Sequence, residues 1–226
     1  MGSTLDLIIF DCDGVLVDSE IIGIKLTVSL LNQQGVDIDI GTFTRLYSGL
    51  AWEALIDKIR RDTGITVSAT LGQDFYPQLM AAFPTQLKRI AGSLEVISNI
   101  KTAKCICSNS KSEQLDYMLT LVGLKSLFAP WIFSANDLGP GRGKPEPDIF
   151  LYGAQQFNAC PENTLVIEDS VHGVMAAKRA GMYVVGFTGG AHTTPDHQSR
   201  LITAGADGVI HSLYQLPDEA ERFSQR

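Results

Sequence analysis

The chain has 226 residues, 45% hydrophobic and 19% charged, with 21 glycines and 9 prolines, which excludes collagen-like, low-complexity and strongly disordered chains. This length allows one large domain or two modest ones, and no apolar run approaches the roughly 18–20 residues of a membrane span. Its 18 basic and 25 acidic side chains give a net charge of −7, which suits neither nucleic acid nor an anionic membrane as a partner.

An apolar run at Leu5–Phe10 reads as the first buried strand. The opening MGSTLDLIIFDCDG contains no basic segment and meets aspartates at once, so a secretory signal is not expected. From about Asp18 to Phe83 the pattern is helical throughout. Trp52, Leu55, Ile56 and Ile59 share one helical face, with Asp57, Arg60 and Arg61 off it; Leu71, Phe75, Leu79 and Phe83 form a second stripe. Strand signals return at Cys105–Cys107, Trp131–Phe133, Leu165–Ile167 and Tyr183–Phe187. Between them, Leu115, Met118, Leu119 and Val122 mark a helix closed by Gly123. Phe150, Ala154 and Phe157 mark one opened by Pro147 at its first turn. Val171, Val174 and Met175 mark one that ends before Gly181. The alternation implies a doubly wound, Rossmann-like parallel sheet, an α/β core. The helical block inserted after the first strand suggests a small separate α-helical domain. The expected boundaries are 1–16 plus 86–226 for the core and 17–85 for the insert.

Four cysteines in so long a chain make no disulfide framework, and a reducing cytoplasm is the expected setting. Cys105 and Cys107 alternate along their strand and are expected on opposite faces, unable to share a metal.

The strongest chemical signal is DCDGVLVDSE at 11–20. Asp11 and Asp13 follow the first strand directly, and Gly14 permits the turn. Loops at the carboxyl ends of strands line the ligand crevice of an open α/β sheet. Glu168 and Asp169 end the Leu165–Ile167 strand, before a helix capped by Ser170. Ser108 and Asn109 end the Cys105–Cys107 strand, and Lys144 lies in the loop GPGRGKPEP. Alone, Asp-x-Asp-Gly is a turn. With a strand before it and matching polar positions downstream, it becomes part of a crevice. Four carboxylates there repel one another, and a hard divalent cation such as Mg²⁺ relieves this. One lysine in the same crevice suits a phosphoryl oxygen or a nucleophilic carboxylate.

These residues resemble the haloacid dehalogenase-like (HAD) superfamily, in the branch with a helical cap after the first strand. The branch includes β-phosphoglucomutases and small sugar-phosphate phosphatases. The resemblance rests on DCDGVLVDSE at 11–20, CICSNS at 105–110, GKPEPDIF at 143–150 and VIEDSVHGVMAAKRAGM at 166–182. One segment departs: AGSLEVISNI stands where the family tends to have Pro-Gly. The resemblance implies that Asp11 is the nucleophile that forms an aspartyl-phosphate. Asp13 would protonate the leaving alkoxide and then deprotonate the hydrolytic water. Ser108 and the Asn109 backbone would bind phosphoryl oxygens, and Lys144 would neutralise charge between phosphate and Asp11. Mg²⁺ would be held by Asp11, the Asp13 carbonyl and Asp169, with Glu168 direct or through water. In the cap, TRLYSGLAWEAL resembles a substrate-facing turn, with Arg45 and Trp52 as substrate-binding candidates. Arg45 suits a second anionic group, and Trp52 also heads an apolar stripe.

The implied activity is a Mg²⁺-dependent phosphatase of a sugar phosphate or a sugar-acid phosphate such as a phosphogluconate. The alternative is a β-phosphoglucomutase-type isomerase that uses the same residues. A dehalogenase would need neither Asp13 nor the Glu168–Asp169 pair, and a mere binding module would have no reason to keep both aspartates. GPGRGKP is not a P-loop, since Pro145 stands where Ser or Thr is required. Arg142 reads as a solvated loop residue, Cys12 as a small buried hydrophobe, and His172 as no metal ligand. His192, His197 and His211 read as surface residues. A monomer is expected.

Overall fold

The structure, a computed structural model, describes residues 4–50 and 52–226. In chain order the regular elements begin with β1 (Leu7–Phe10), followed by α1 (Glu20–Gln33), α2 (Ile40–Leu46), α3 (Trp52–Thr63) and α4 (Leu71–Gln86). Next come α5 (Glu95–Asn99), β2 (Ala103–Ser108), α6 (Ser112–Leu121), α7 (Lys125–Phe128) and β3 (Ile132–Ser134). The chain continues through α8 (Asp148–Gln156), β4 (Thr164–Glu168), α9 (Val171–Arg179) and β5 (Tyr183–Phe187). It closes with α10 (His197–Ala204), β6 (Gly208–Ile210) and α11 (Leu216–Ser224).

Among the described residues the strands form one parallel sheet in the order β3-β2-β1-β4-β5-β6. Every residue of β1 is buried, as the unbroken apolar run LIIF requires of a central strand covered on both faces. Phe10 pairs in register with Ile106 of β2 and Ile167 of β4, so Asp11 leaves β1 level with Cys107 and Glu168, and the three strands end at the same edge of the sheet. The order of connection reverses between β1 and β4, which places the switch point of the sheet at Asp11.

One face of the sheet packs Leu7, Ile9, Cys105, Cys107, Val166 and Val184 against α8 and α9, through Ile149, Phe150, Ala154, Val174 and Ala177. Cys105 and Cys107 therefore share a face, contrary to the sequence reading, because residues two apart on a strand point the same way. Gly153 lets α8 settle on that pair: a Cβ there would stand 2.7 Å from the Cys107 sulfur and 3.6 Å from that of Cys105. On the other face, Phe10 meets Phe128 edge-on at 5.7 Å.

The strands expected from apolar runs are present with shifted ends; the first starts at Leu7 and the third at Ile132. Pro147 stands at the N-cap of α8 rather than inside its first turn. Gly123 follows the end of α6 at φ +71°, where glycine closes a helix without strain. The sequence pattern does not show β6, whose three residues are too few to display a period.

The chain forms two compact units, Met1–Asp18 with Lys88–Arg226, and Ser19–Leu87. The second unit holds α1 to α4 around Leu31, Phe43, Leu55, Ile59 and Leu71. Asp39 caps α2 by accepting the Thr42 amide at 2.9 Å. Trp52 meets Phe75 edge-on at 5.1 Å, and Tyr47 donates to Asp62 at 2.8 Å. Arg45 is exposed in the last turn of α2.

In the sheet unit, the segment after β1 and the segment entering α5 run side by side. Val17 bridges Arg89 in antiparallel fashion, the Asp18 amide donates to the Lys88 carbonyl at 2.9 Å, and the Ile90 amide to Leu16 at 3.0 Å. No helix among the described residues is long and apolar enough to cross a membrane.

Candidate active site

Asp11 continues β1 by donating its amide to Ile167 at 3.0 Å, and the chain then folds into a tight loop. The Leu16 and Val17 amides return to the Cys12 carbonyl at 2.9 and 3.1 Å, and the Gly14 amide reaches Val17 at 2.7 Å. Gly14 adopts φ +78°, and a Cβ there would overlap the Asp169 carboxylate. Glycine thus serves both the turn and the approach of Asp169 to this loop.

Lys144 is the electrostatic centre. Its ammonium donates to Asp11 Oδ1, to Glu168 Oε1 at 2.6 Å and to the Cys107 carbonyl at 2.9 Å. Asp11, Ser108, Lys144, Glu168 and Asp169 are all buried. Burial opposes the lysine's charge, but Asp11 and Glu168 outweigh it and hold the ammonium above its ordinary pKa. Burial pushes the Asp11 carboxyl well above the usual carboxylate range; Lys144 opposes this, while Glu168, Asp169 and Asp13 reinforce it. Cys12 is fully buried, and burial first, then Asp13 and Asp11, hold its thiol well above the ordinary value.

The loop that carries Lys144 is fixed by Asn109, whose side chain accepts the Lys144 amide at 2.9 Å and donates to the Lys144 carbonyl at 3.3 Å. The Asn109 side chain is thereby a brace for the lysine. Arg142 pairs with Asp148 at 2.6 Å and stays half in solvent.

Glu168 has no solvent exposure, and both its oxygens are engaged. Oε1 accepts Lys144; Oε2 accepts the Ser170 amide and hydroxyl, each at 3.0 Å. Ser170 also accepts the Gly173 amide at 3.0 Å, capping α9. Asp13 accepts Ser110 at 2.7 Å and Ser108 at 3.4 Å through Oδ2. Ser110 was not singled out from the sequence, although it closes the quoted run CICSNS.

Two histidines expected at the surface are not there. His197 is buried and lies 2.5 Å from the Asp169 carbonyl; burial is the main cause of its lowered pKa. His192 is largely enclosed, with Nε2 3.1 Å from Asp169 Oδ2. The loop after β5 turns back over the strand ends, a path that no local pattern announces. His172 and His211 are exposed. Arg45 and Trp52 belong to the helical unit.

A divalent cation fits the chemistry of this donor set, in which one lysine faces four carboxylates. Asp11 and Asp169, with the main-chain carbonyl of Asp13, would hold it. Glu168, expected among the ligands, already accepts hydrogen bonds at both oxygens. Among the described residues no three His, Cys, Asp or Glu side chains converge at metal-binding spacing. A cation here would therefore draw on main-chain oxygen, substrate and water as well, the habit of Mg²⁺.

A sheet with this switch point, an aspartate loop after its central strand and a buried lysine between two strand-end carboxylates define a class of hydrolase. Residues 8–187 match the haloacid dehalogenase-like hydrolase family, and the chain belongs to that family. Its fold is that of a conserved haloacid dehalogenase-like protein from Agrobacterium tumefaciens, 46% identical over 96% of this chain and 98% of the other, at a TM-score of 0.94. A HAD family hydrolase from Deinococcus radiodurans, solved with bound phosphate and sodium, is 28% identical. It covers 98% of this chain and 97% of its own, at a TM-score of 0.86. The chain is also 28% identical to the 6-phosphogluconate phosphatase of Escherichia coli, over 96% of this chain and 95% of the relative.

Proposed function

We propose that this hydrolase is a Mg²⁺-dependent phosphatase that cleaves a small phosphorylated metabolite, a sugar phosphate or sugar-acid phosphate, through an aspartyl-phosphate. The coarse assignment, a phosphoric monoester hydrolase, rests on family membership and on the phosphatase relative of nearly equal length. The observation that carries the finer reading is the Lys144 ammonium held between Asp11 and Glu168.

Asp11 attacks phosphorus; its new P–O bond forms as the bond to the leaving oxygen breaks, and Asp13 supplies the proton that oxygen needs. Water then attacks the phosphorus of the aspartyl-phosphate while Asp13 takes its proton, which restores Asp11 and releases phosphate. Ser108 and the Asn109 amide donate to phosphoryl oxygens. Lys144 favours the ionised form of Asp11 against its burial and offsets charge on the transferring group. Mg²⁺, when bound, supplies further neutralisation of phosphoryl charge. Substrate choice falls to the helical unit in this reading, with Arg45 taking a second anionic group and Trp52 a neighbouring surface. The sugar-acid preference follows from that arginine and from the phosphogluconate phosphatase relative. The reading is of a monomeric cytoplasmic enzyme without nucleic-acid or membrane partners.

The test is phosphate release from a panel of sugar phosphates, sugar-acid phosphates and phosphoglycolate. Wild type and Asp11→Asn are compared with Mg²⁺ and with chelator. Turnover that needs both Mg²⁺ and Asp11 is expected. Silence across the panel, with isomerisation of β-glucose 1-phosphate under a bisphosphate primer, would instead identify a mutase.

A further inference from the structure

His192 and His197 have no part in the chemistry above, yet both converge on Asp169. The loop that carries His192 is fastened at several points: the Thr188 amide donates to Ile210 at 3.0 Å, the Ala191 amide to Asp18 Oδ1 at 3.0 Å, and the Thr193 amide to Gly190 at 3.1 Å. The His192 ring fills a slot between two glycines. A Cβ at Gly14 would stand 2.9 Å from its Cε1, and one at Gly190 would stand 2.7 Å from its Nδ1. The two imidazoles meet edge-on at 5.4 Å. A carboxylate oxygen and a carbonyl oxygen only accept hydrogen bonds, so the nitrogen that each ring turns to Asp169 is the donor.

We propose that His192 and His197 are positioning residues for Asp169. His192 holds the carboxylate by Oδ2, His197 fixes its main-chain carbonyl, and Oδ1 remains as the oxygen for the divalent cation. The proposal rests on the metal-dependent reading above. Its physical content is pre-organisation: a ligand already oriented loses less freedom when the cation binds. Groups that orient metal ligands typically change affinity by roughly 10–100-fold when removed.

The experiment is calorimetric titration of chelator-treated full-length protein with Mg²⁺, in the absence of substrate. Wild type and Asp169→Asn set the limits. His192→Phe keeps the ring's bulk in the slot but has no donor; His192→Asn keeps a donor and loses the ring. Thermal melts establish that each variant folds, and His192→Ala replaces the Phe variant if that one does not. His192→Phe is expected to weaken Mg²⁺ binding about 10-fold, His192→Asn to recover most of it, and His197→Phe to weaken it as well. A Phe variant that binds as wild type does, while Asp169→Asn has lost binding, would overturn the positioning role alone. So would an Asn variant as weak as the Phe variant, since shape would then be what matters. Wild type without measurable Mg²⁺ binding would overturn the metal-dependent reading and this proposal together.

Discussion

Lys144→Met removes the buried cation while keeping most of the side chain's volume. The lysine side chain is 3% exposed, and its partners Asp11 and Glu168 are 9% and 0% exposed. Both carboxylates would be left in low dielectric beside Asp13 and Asp169, and the Cys107 carbonyl would lose its donor. Removing one member of a buried pair costs about 3–5 kcal/mol, mostly because the other charge stays buried. For a chain of this length each kcal/mol lowers Tm by roughly 2–4 °C, so a fall of about 6–20 °C is expected in chelator at neutral pH. Differential scanning calorimetry reads this directly. In phosphate release the same variant should fall about 100- to 1,000-fold, as when one preorganised charge donor is removed. Lys144→Arg should not rescue, because a planar guanidinium cannot reproduce a point charge on three converging acceptors. A melting temperature within about 2 °C of wild type, under 1 kcal/mol on the same conversion, would refute the view that Lys144 compensates the buried carboxylates.

The pH dependence of stability has a definite sign. Folded Asp11, raised mainly by burial, keeps its proton at pH values where the unfolded chain, near 3.8, has released it. The folded state therefore binds more protons in that window, and stability of Mg²⁺-free protein falls as pH rises from about 3.8 through the raised value. Urea unfolding in chelator should show that slope reduced in Asp11→Asn; an unchanged slope would assign it to other groups. Ser170→Ala removes the cap of α9 and a donor to Glu168, and should cost about 1–2 kcal/mol in urea unfolding. A loss near zero would mean that water replaces the hydroxyl. Gly173→Ala places a methyl where the Glu168 carboxylate lies and should lower stability by about 1–3 kcal/mol. Alanine's better helix propensity would otherwise raise it, so the direction of the melting shift decides the matter.

Much of the core was legible because its determinants are local. LIIF, the cysteine strand and LVI are unbroken apolar runs, and a strand buried on both faces needs little else. The strand-end residues Asp11, Ser108, Glu168 and Asp169 were legible for the same reason: the end of each run shows which side chains leave the sheet together. Lys144 sits in a loop, and the family pattern pointed to it. What escaped depends on long-range placement. Gly208–Ile210 is too short to show a period. His192 and His197 looked like surface residues because only the path of the chain after Phe187 brings them to Asp169. Cys105 and Cys107 lie on one face because a spacing of two along a strand returns to the same side. The side chain of Asn109 braces Lys144, a role invisible without the loop's conformation.

The paired segments Leu16–Asp18 and Lys88–Ile90 have a topological consequence. The Asp18 amide and the Lys88 carbonyl are hydrogen-bonded neighbours, so the sheet unit would close upon itself if residues 19–87 were replaced by a short hairpin turn. The insert interrupts the chain without spreading the points at which it is joined. An insert joined in this way can be exchanged as a cassette without moving the strand ends that carry Asp11, Ser108 and Glu168.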